Sequence, residues 1–377
     1  EERLAIRPTS EAIICSIYAK WIQSYRDLPL LINQWANVVR WEKRTRLFLR
    51  TSEFLWQEGH TCHRTEEEAQ EETLKMLEVY REFLETELAI PAIKGLKTEA
   101  EKFPGAVNTY TVEAMMSNGW ALQAGTSHNL GQHFSRGFEI KFLDEDNVEK
   151  YVWQTSWGVS TRLVGGIIMT HGDDQGLILP PRVAPHQAVI VPIYRDDSRE
   201  TVLEGAKSLW RDLSAVARVE LDDRDGFKPG WKFNEWEMRG VPLRIELGPR
   251  DLGAGTAVLV NRVTREKETV QLASLRDELP GRLERIQADL LGRALAHREA
   301  NTRPAKTLDE LAAIVTDQGG FVVAGWDGDP ETEAKVKEET KATIRCLPLD
   351  AGEPEEGMTD VVSGKPAKHR VLYARAF

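Results

Sequence analysis

The segment Phe54-Leu-Trp-Gln-Glu-Gly-His60 has the strongest local pattern in the chain, because its side chains alternate in character. A strand repeats every two residues, which puts four of these side chains on one face: Phe54, Trp56, Glu58 and His60. Two aromatic rings, a carboxylate and an imidazole on one wall suit a small ligand that is both apolar and cationic. The alternative is a half-buried strand whose polar groups are satisfied locally.

The end of this strand also raises the question of a metal site, since His60, Cys62 and His63 lie close together. The sequence offers no matching ligand cluster elsewhere, so zinc is not predicted here. The chain has three cysteines, and none forms a CxxC pair. This pattern indicates neither a disulfide framework nor a cysteine zinc site, and it fits a reducing compartment.

A second strand is predicted just upstream, at Val38-Val-Arg-Trp-Glu42. Its period of two puts Arg40 and Glu42 on one face, where a guanidinium can bind a carboxylate or phosphate in bidentate fashion. Residues 40–50 carry five basic side chains and one acidic one, although the whole chain has 49 basic and 60 acidic residues and a net charge of −11. This local patch suits a polyphosphate. The alternatives are a surface ion pair and a solvated hairpin loop.

Other polar segments support more than one interpretation. Arg7-Pro-Thr-Ser-Glu11 is typical of a loop that leads into a helix, with Thr9 and Ser10 both able to cap it. Thr65-x-x-Glu68 has the spacing of a capping box and predicts a further helix. The segment 119–133 is unusually polar for a chain interior, and a flexible surface loop is the alternative there. In the segment 158–166, an arginine stands between glycines, which by itself is a weak signal.

Length and composition predict two or three globular domains. The chain has 377 residues, of which 41% are hydrophobic and 29% charged, which argues against disorder and coiled coils. No run of eighteen apolar residues occurs, so we expect a cytoplasmic protein without a membrane helix. Three prolines in the segment 179–185 indicate a connector. Beyond it, a buried strand at 188–191, a helix at 200–213 and strands at 242–247 and 257–261 indicate an α/β module.

Taken together and in this order, these segments resemble a class II aminoacyl-tRNA synthetase, and more narrowly the prolyl-tRNA synthetase family of the archaeal and eukaryote-like type. The resemblance spans nearly the whole chain and rests on the segments Arg7–Glu11, Asn33–Glu42, Phe54–His60, Gly125–His128 and Ser156–Arg162. It implies an α+β fold. The expected parts are an antiparallel-sheet catalytic domain at 1–183, an α/β anticodon-binding domain at 184–282, and a small α/β C-terminal domain at 283–377.

The resemblance also implies an activity: activation of L-proline by ATP with Mg²⁺, then transfer to tRNA(Pro). The proline site that it implies consists of Thr9, Glu11, Arg40, Trp56, Glu58, His60 and His128. The ATP site that it implies consists of Arg40, Glu42, Arg50, Thr51, Gln123, Thr126, Ser160 and Arg162, with Gln123 near magnesium and with Arg40 and Arg162 as the catalytic residues. The anticodon contacts that it implies are Phe227, Lys228, Lys232 and Arg250, with Trp231 as another candidate for stacking on a base.

The chain departs from the family pattern in several ways. Motif 1, which builds the dimer interface of the family, would precede residue 1, so we expect a truncated chain whose parent is a homodimer. Only Cys346 stands where many relatives have four zinc-binding cysteines, and we predict no zinc there. Arg162 lies 104 positions after Glu58, which leaves no room for the editing domain of bacterial-type relatives.

Two other functions stay open at this point. A non-catalytic synthetase paralogue that binds tRNA or a protein partner is one, although Arg40 and Arg162 argue against it. A class II enzyme for threonine, serine or glycine is the other. The wall formed by Trp56, Glu58 and His60 argues against that reading, since a threonine site would be expected to offer zinc ligands.

Overall fold

A ten-stranded sheet organises the first of two units in this computed structural model, which describes residues 4–377. This unit comprises the residues up to Leu84, Pro91–Gly166 and His297–Phe377, and the second comprises Glu85–Ile90 and Ile167–Ala296. The first three residues of the predicted catalytic domain lie outside the described part. Antiparallel pairing dominates the large sheet, and together with the helices it gives the predicted α+β class.

The large sheet takes its strands from two distant parts of the sequence. Its order is β1-β2-β8-β5-β4-β3-β16-β17-β15-β14, and every neighbouring pair is antiparallel except β14 and β15. The strands are β1 (Leu30–Val39), β2 (Glu53–His63), β3 (Ala92–Leu96), β4 (Asn108–Met115), β5 (Ala121–Gly131), β8 (Trp153–Ser160), β14 (Thr302–Pro304), β15 (Phe321–Trp326), β16 (Thr343–Pro348) and β17 (His369–Ala374). A separate hairpin consists of β6 (Lys141–Leu143) and β7 (Glu149–Tyr151).

The second unit contains a mixed five-stranded sheet in the order β10-β9-β11-β12-β13. Its strands are β9 (Ala188–Pro192), β10 (Val219–Leu221), β11 (Leu243–Leu247), β12 (Thr256–Asn261) and β13 (Lys267–Gln271). The predicted strand at 188–191 is confirmed, and all its residues are buried, as expected for a strand covered on both faces. The predicted strands at 242–247 and 257–261 match β11 and β12.

In the described part of the chain, ten α-helices cover these sheets or connect them. They are α1 (Glu11–Trp21), α2 (Glu66–Glu82), α3 (His133–Gly137), α4 (Arg162–His171), α5 (Arg199–Leu213), α6 (Pro229–Met238), α7 (Pro249–Ala254), α8 (Leu272–Ala300), α9 (Leu308–Ala313) and α10 (Pro330–Thr340). Short 3₁₀ or π turns lie at Tyr25–Asp27, Phe83–Glu87 and Ile314–Gln318. Helix α8 runs across the boundary predicted at residue 283. No helix among residues 4–377 is long and apolar enough to cross a membrane.

The predicted cap of α2 is present, whereas the predicted cap of α1 is not. The Thr65 hydroxyl accepts a hydrogen bond from the Glu68 amide at 3.2 Å, and the Glu68 carboxylate accepts one from the amide of Arg64. At the start of α1, Thr9 donates to Glu11, and Ser10 donates to Glu58 on β2. The expectation that Thr9 or Ser10 caps this helix is wrong, because no side-chain hydroxyl accepts from the first helical amides and the backbone of Ser10 is itself helical, with φ −100° and ψ −10°.

The polar segment 119–133 forms β5, a central strand of the large sheet, so the alternative of a surface loop is wrong. Its polar groups find partners inside the fold. The Ser127 hydroxyl donates to the Thr73 carbonyl at 2.7 Å, and the Asn129 amide donates to Gln70 at 2.9 Å. Satisfied hydrogen bonds remove most of the cost of burying such side chains.

Candidate active site

A cavity of about 330 Å³ opens on one face of the large sheet, where β2, β8 and β5 lie side by side. This volume is in the range of small-molecule sites. The cavity brings together all seven residues of the predicted proline site and several of the predicted ATP site. They are Thr9, Glu11, Arg40, Trp56, Glu58, His60, Gln123, Thr126, His128, Ser160 and Arg162.

The strand register explains how distant residues meet in this cavity. On β8, Ser156 pairs with His60 of β2 on one side and with His128 of β5 on the other. Two residues further along β8, Gly158 stands between Glu58 and Thr126 in the same way. Directly paired residues on neighbouring strands share one face, so these side chains line the floor together. The predicted alternation in the segment 54–60 is confirmed, since all four of its members face this cavity.

Glu58 is a buried carboxylate with three hydrogen-bond donors. It accepts from His60 Nε2 at 3.0 Å, from Gln34 Nε2 at 2.7 Å and from the Ser10 hydroxyl. Burial alone would raise the pKa of Glu58, but the bonds from His60, Ser10 and Gln34 together lower it. Glu58 is therefore a fixed negative charge in the cavity wall. The alternative of a strand with purely local satisfaction does not apply, because Ser10 and Gln34 come from other elements.

His128 is a neutral imidazole held between two hydroxyl groups. Thr109 Oγ1 lies 3.0 Å from its Nδ1, and Thr126 Oγ1 lies 3.1 Å from its Nε2. Burial lowers the pKa of His128 to about 3, and the neighbouring His60 adds to the effect. A neutral ring has one donor and one acceptor, so it can bond to both hydroxyls without bringing a positive charge to the site.

Arg40 follows the end of β1 and lies at the mouth of the cavity. Its Nε donates to the Pro8 carbonyl at 2.9 Å, and its guanidinium carbon lies 5.3 Å from the Phe54 ring centroid and 5.5 Å from that of Trp56. These contacts orient the side chain and leave its terminal nitrogens able to bind an anion. Strand β1 ends at Val39, so Arg40 and Glu42 belong to the following loop and not, as predicted, to the strand.

A second, smaller cavity adjoins the first one and shares Arg40, Phe54, Ser160 and Arg162 with it. It contains the remaining residues of the predicted ATP site: Glu42, Arg50 and Thr51. Arg162 begins α4, where its Nε donates to the Leu49 carbonyl at 2.9 Å and its Nη1 to the Gln123 carbonyl at 3.3 Å. Burial lowers the pKa of Arg162, and the nearby Arg50 adds to this effect.

The donor set in this region offers little for a metal ion without a bound phosphate. Gln123 lines the cavity and provides one neutral oxygen ligand, while Glu113, its partner on β4, is bound to Lys97 and Arg345. Among residues 4–377, no group of three or more His, Cys, Asp and Glu side chains is placed to hold a metal ion. Gln123 therefore fits a Mg²⁺ ion that takes most of its ligands from phosphates and water.

Sequence reasoning missed several residues that line this cavity. Ser156 lies on its floor with a buried hydroxyl that has no hydrogen-bond partner among the described residues. Phe103 packs its ring 4.8 Å from the His128 ring, and Thr109 orients that histidine. Ser156 is the first residue of the motif at Ser156–Arg162, so the motif could have pointed to it. Phe103 lies in a connection between strands, where no periodic pattern marks the side chains that point inward.

In the second unit, the predicted anticodon residues divide into exposed and buried ones. Phe227 and Trp231 stack with ring centroids 4.2 Å apart, both about half exposed, and Lys228 and Arg250 are exposed too. Lys232 requires a correction, because only 2% of it is exposed and its Nζ donates to the Asp222 carbonyl at 2.8 Å. This geometry argues against a phosphate contact by Lys232, which instead stabilises the domain.

Three family models match consecutive parts of the chain. They are the tRNA synthetase class II core domain (G, H, P, S and T) at residues 1–171, the anticodon binding domain at 187–282, and the prolyl-tRNA synthetase C-terminal domain at 308–377.

Curated relatives match the chain over its full length. A proline–tRNA ligase of Natranaerobius thermophilus is 56% identical over all of this chain and 78% of the relative. The corresponding proteins of Chloroherpeton thalassium and Symbiobacterium thermophilum are each 57% identical over all of this chain, and over 79% and 78% of their own lengths.

Proposed function

The chain belongs to the prolyl-tRNA synthetase family of class II synthetases, and from this premise we propose how its residues activate L-proline with ATP and transfer the prolyl group to tRNA(Pro). The observation that carries the proposal is the meeting of Arg40, the Glu58 network and the neutral His128 in one cavity beside a second, arginine-rich one. The relatives and the C-terminal match favour this enzyme over a non-catalytic paralogue and over a synthetase for threonine, serine or glycine.

In the proposed amino-acid pocket, Thr9 and Glu11 receive the secondary ammonium of proline, and Arg40 binds its carboxylate. Trp56, Glu58, His60 and His128 surround the ring. Opposite charges in the same cavity support this assignment, since Glu11 and Glu58 are acidic and Arg40 is basic. A neutral His128 adds no repulsion toward the ammonium group.

The second cavity is proposed to hold the triphosphate and the nucleoside. Arg50 and Arg162 supply positive charge next to Arg40, and Glu42 lies 3.6 Å from Arg50, which orients that guanidinium. Thr51, Gln123, Thr126 and Ser160 complete the proposed ATP site. Mg²⁺ bound with the nucleotide would be held on the protein side by Gln123, and it would neutralise charge on the phosphate oxygens.

No covalent nucleophile is needed for the proposed reaction. A carboxylate oxygen of proline attacks the α-phosphorus of ATP, the bond to the bridging oxygen breaks, and pyrophosphate leaves. Arg40 contacts both the carboxylate and the α-phosphate, so it holds the reacting atoms in line. Arg40 and Arg162 stabilise the negative charge that develops on the phosphoryl oxygens. The terminal ribose hydroxyl of tRNA(Pro) then attacks the prolyl carbonyl and releases AMP.

For tRNA binding, we propose that the Phe227 and Trp231 stack receives a splayed anticodon base, with Lys228 and Arg250 at the phosphates. Arg224 supports this platform, because its guanidinium carbon lies 5.2 Å from the Phe227 ring centroid and 5.4 Å from that of Trp231. Exposed aromatic faces next to cationic groups are typical of single-stranded RNA sites. An acidic chain needs such a local site to bind a polyanion.

We further propose that the protein is cytoplasmic, homodimeric and of the archaeal and eukaryote-like type. The interval between Glu58 and Arg162 is taken up by α2, α3 and β3–β8, which supports the assignment of type. Strand β1 lies at the edge of the sheet and exposes Leu31 and Trp35, and Leu55 of β2 adds to this apolar face. An unpaired edge strand and an exposed apolar face are both liabilities, and a second subunit can cover them.

The test of the activation step is ATP–pyrophosphate exchange with each of the twenty amino acids, using the full-length gene product. We expect exchange with proline that Arg40→Ala abolishes, because this variant loses the contact to both substrates. Arg26→Ala serves as the matched control, since Arg26 lies outside both cavities. A folded protein that binds tRNA(Pro) and exchanges with none of the twenty would overturn the proposal and favour the non-catalytic paralogue.

A further inference from the structure

The connection between β3 and β4, residues 97–107, lines the amino-acid side of the first cavity. Four consecutive residues of this connection, Glu101, Lys102, Phe103 and Pro104, face the cavity. We call residues 97–107 the pocket loop. Its central residue Phe103 packs its ring against His128, and the Phe103 amide donates at 2.9 Å to Thr109, whose hydroxyl also contacts His128.

The pocket loop is also attached to the C-terminal part of the chain. Thr98 Oγ1 donates to Glu333 Oε1 on α10 at 2.7 Å, and both residues are buried. One turn further along α10, Lys337 forms an ion pair with Glu101 at 3.1 Å. The Thr98–Glu333 bond is the stronger of the two attachments, because a buried hydrogen bond to a carboxyl group counts for more than a solvent-screened ion pair.

Thr98 is also the residue on which the turn of the pocket loop is built. Its carbonyl accepts hydrogen bonds from the amides of Glu101 and Lys102, at 3.1 Å and 2.9 Å. Phe103 directly follows Lys102. The position of Thr98 therefore determines where the Phe103 ring lies. A shift of about 1 Å in such a supporting element is enough to weaken binding in a preformed site.

We propose that Glu333 is a positioning residue for the amino-acid pocket: through Thr98 it holds the pocket loop so that Phe103 rests against His128. This inference rests on the proposed function of the cavity. It gives the C-terminal domain a role in the recognition of the amino acid, although Glu333 itself does not line the cavity. The nucleotide side of the site has no part in this chain of contacts.

The experiment compares Glu333→Ala with Glu333→Gln in steady-state pyrophosphate exchange. Glu333→Ala leaves the buried Thr98 hydroxyl without its acceptor, and we expect the KM for proline to rise about five- to twentyfold while the KM for ATP stays within about twofold. Glu333→Gln retains an acceptor oxygen and should behave nearly like the wild type. Glu338→Ala, at an exposed position of the same helix, is the matched control.

A second pair of variants keeps the test decisive if Glu333→Ala does not fold. Thr98→Val removes the hydroxyl at nearly constant volume and should reproduce the rise in the KM for proline. Thr98→Ser keeps a hydroxyl and should have a KM for proline close to that of the wild type. Hydrogen exchange of residues 99–106 without substrates should be faster in Glu333→Ala than in the wild type. Equal effects on both KM values, no effect on either, or failure of the glutamine variant to rescue would overturn the proposal.

The outcome is separable from that of the proposed function. A wild-type enzyme that shows no exchange with proline defeats the proposed function, whatever the variants do. A wild-type enzyme that exchanges with proline, combined with Glu333 and Thr98 variants that keep a normal KM for proline, defeats only the positioning role.

Discussion

Lys97, Glu113 and Arg345 form a buried cluster of charges. We expect their substitutions to lower the free energy of unfolding by very different amounts. The Lys97 Nζ lies 2.8 Å from Glu113, and the Arg345 Nε lies 3.1 Å from it. The exposed fractions of the side chains are 1% for Lys97, 0% for Glu113 and 8% for Arg345. Burial alone would raise the pKa of Glu113, but the two cations lower it, so the carboxylate is ionised. The cluster thus holds one negative and two positive charges.

Glu113→Gln should be far more destabilising than Arg345→Met. The first variant leaves two buried cations without a counter-charge, which we expect to lower the free energy of unfolding by about 3–5 kcal/mol or more. The second leaves a neutral Lys97–Glu113 pair, and only the hydrogen bonds of Arg345 are lost, at a cost of about 1–3 kcal/mol. In a Lys97→Met background, Glu113→Gln should cost less than it does alone, because one stranded cation is gone.

The assay is equilibrium urea denaturation followed by near-ultraviolet circular dichroism, with midpoints compared for the four variants and the wild type. A chain of this size unfolds in more than one step, so the transition shifted by Glu113→Gln is the one to compare. Charge does not explain the stability of this cluster if Arg345→Met shifts that midpoint as far as Glu113→Gln does, or if Lys97→Met fails to reduce the effect of Glu113→Gln.

Three further predictions concern packing, pH and substrate range. Gly59→Ala should destabilise the protein by about 1–3 kcal/mol, because its Cβ would overlap the Trp157 indole on the face of the sheet opposite the cavity. The resulting shift of β2 against β8 should also raise the KM for proline. Gly137→Ala, where a Cβ meets open space, is the control in both measurements. Burial lowers the pKa of His171 to about 4, so its ring stays neutral in the folded state above that pH. The unfolded state binds a proton below about pH 6.5. The free energy of unfolding should therefore fall as the pH drops from 6.5 toward 4. His171→Gln should reduce that slope by about 1.4 kcal/mol per pH unit, measured as urea midpoints against pH, and an unchanged slope would count against this assignment. A pocket for proline rejects a smaller amino acid only weakly, so alanine at high concentration should support pyrophosphate exchange, and its complete failure to do so would contradict the prediction.

Local periodicity was sufficient to predict features that lie within a single strand or a single helix. The alternation in the segment 54–60 predicted the face of β2, and the capping spacing predicted the start of α2, because both patterns involve neighbours in sequence. The continuous apolar run at 188–191 likewise identified β9. The sequence motifs, through the resemblance, also named the residues that the two cavities bring together. Nothing in those motifs gave their distances or partners.

Other features depended on which elements pack together, and the sequence could not show that. Ser10 was predicted as a helix cap, but its backbone has helical angles instead of the extended ones of a capping residue, and its hydroxyl donates to Glu58 of β2. Lys232 was predicted to contact RNA because of its positive charge, but it is buried against Asp222.

The attachment of the pocket loop is a feature that arises only when distant segments pack together. Thr98 and Glu333 lie 235 positions apart, and each is unremarkable in its own segment. The family, the α+β class and the motif residues that line the two cavities could be predicted from the sequence, because motifs and local periods are written in consecutive positions. The tertiary structure alone decided the charge state of His128, the support of Phe103 and the burial of Glu113, because burial and hydrogen-bond partners arise only when distant segments pack.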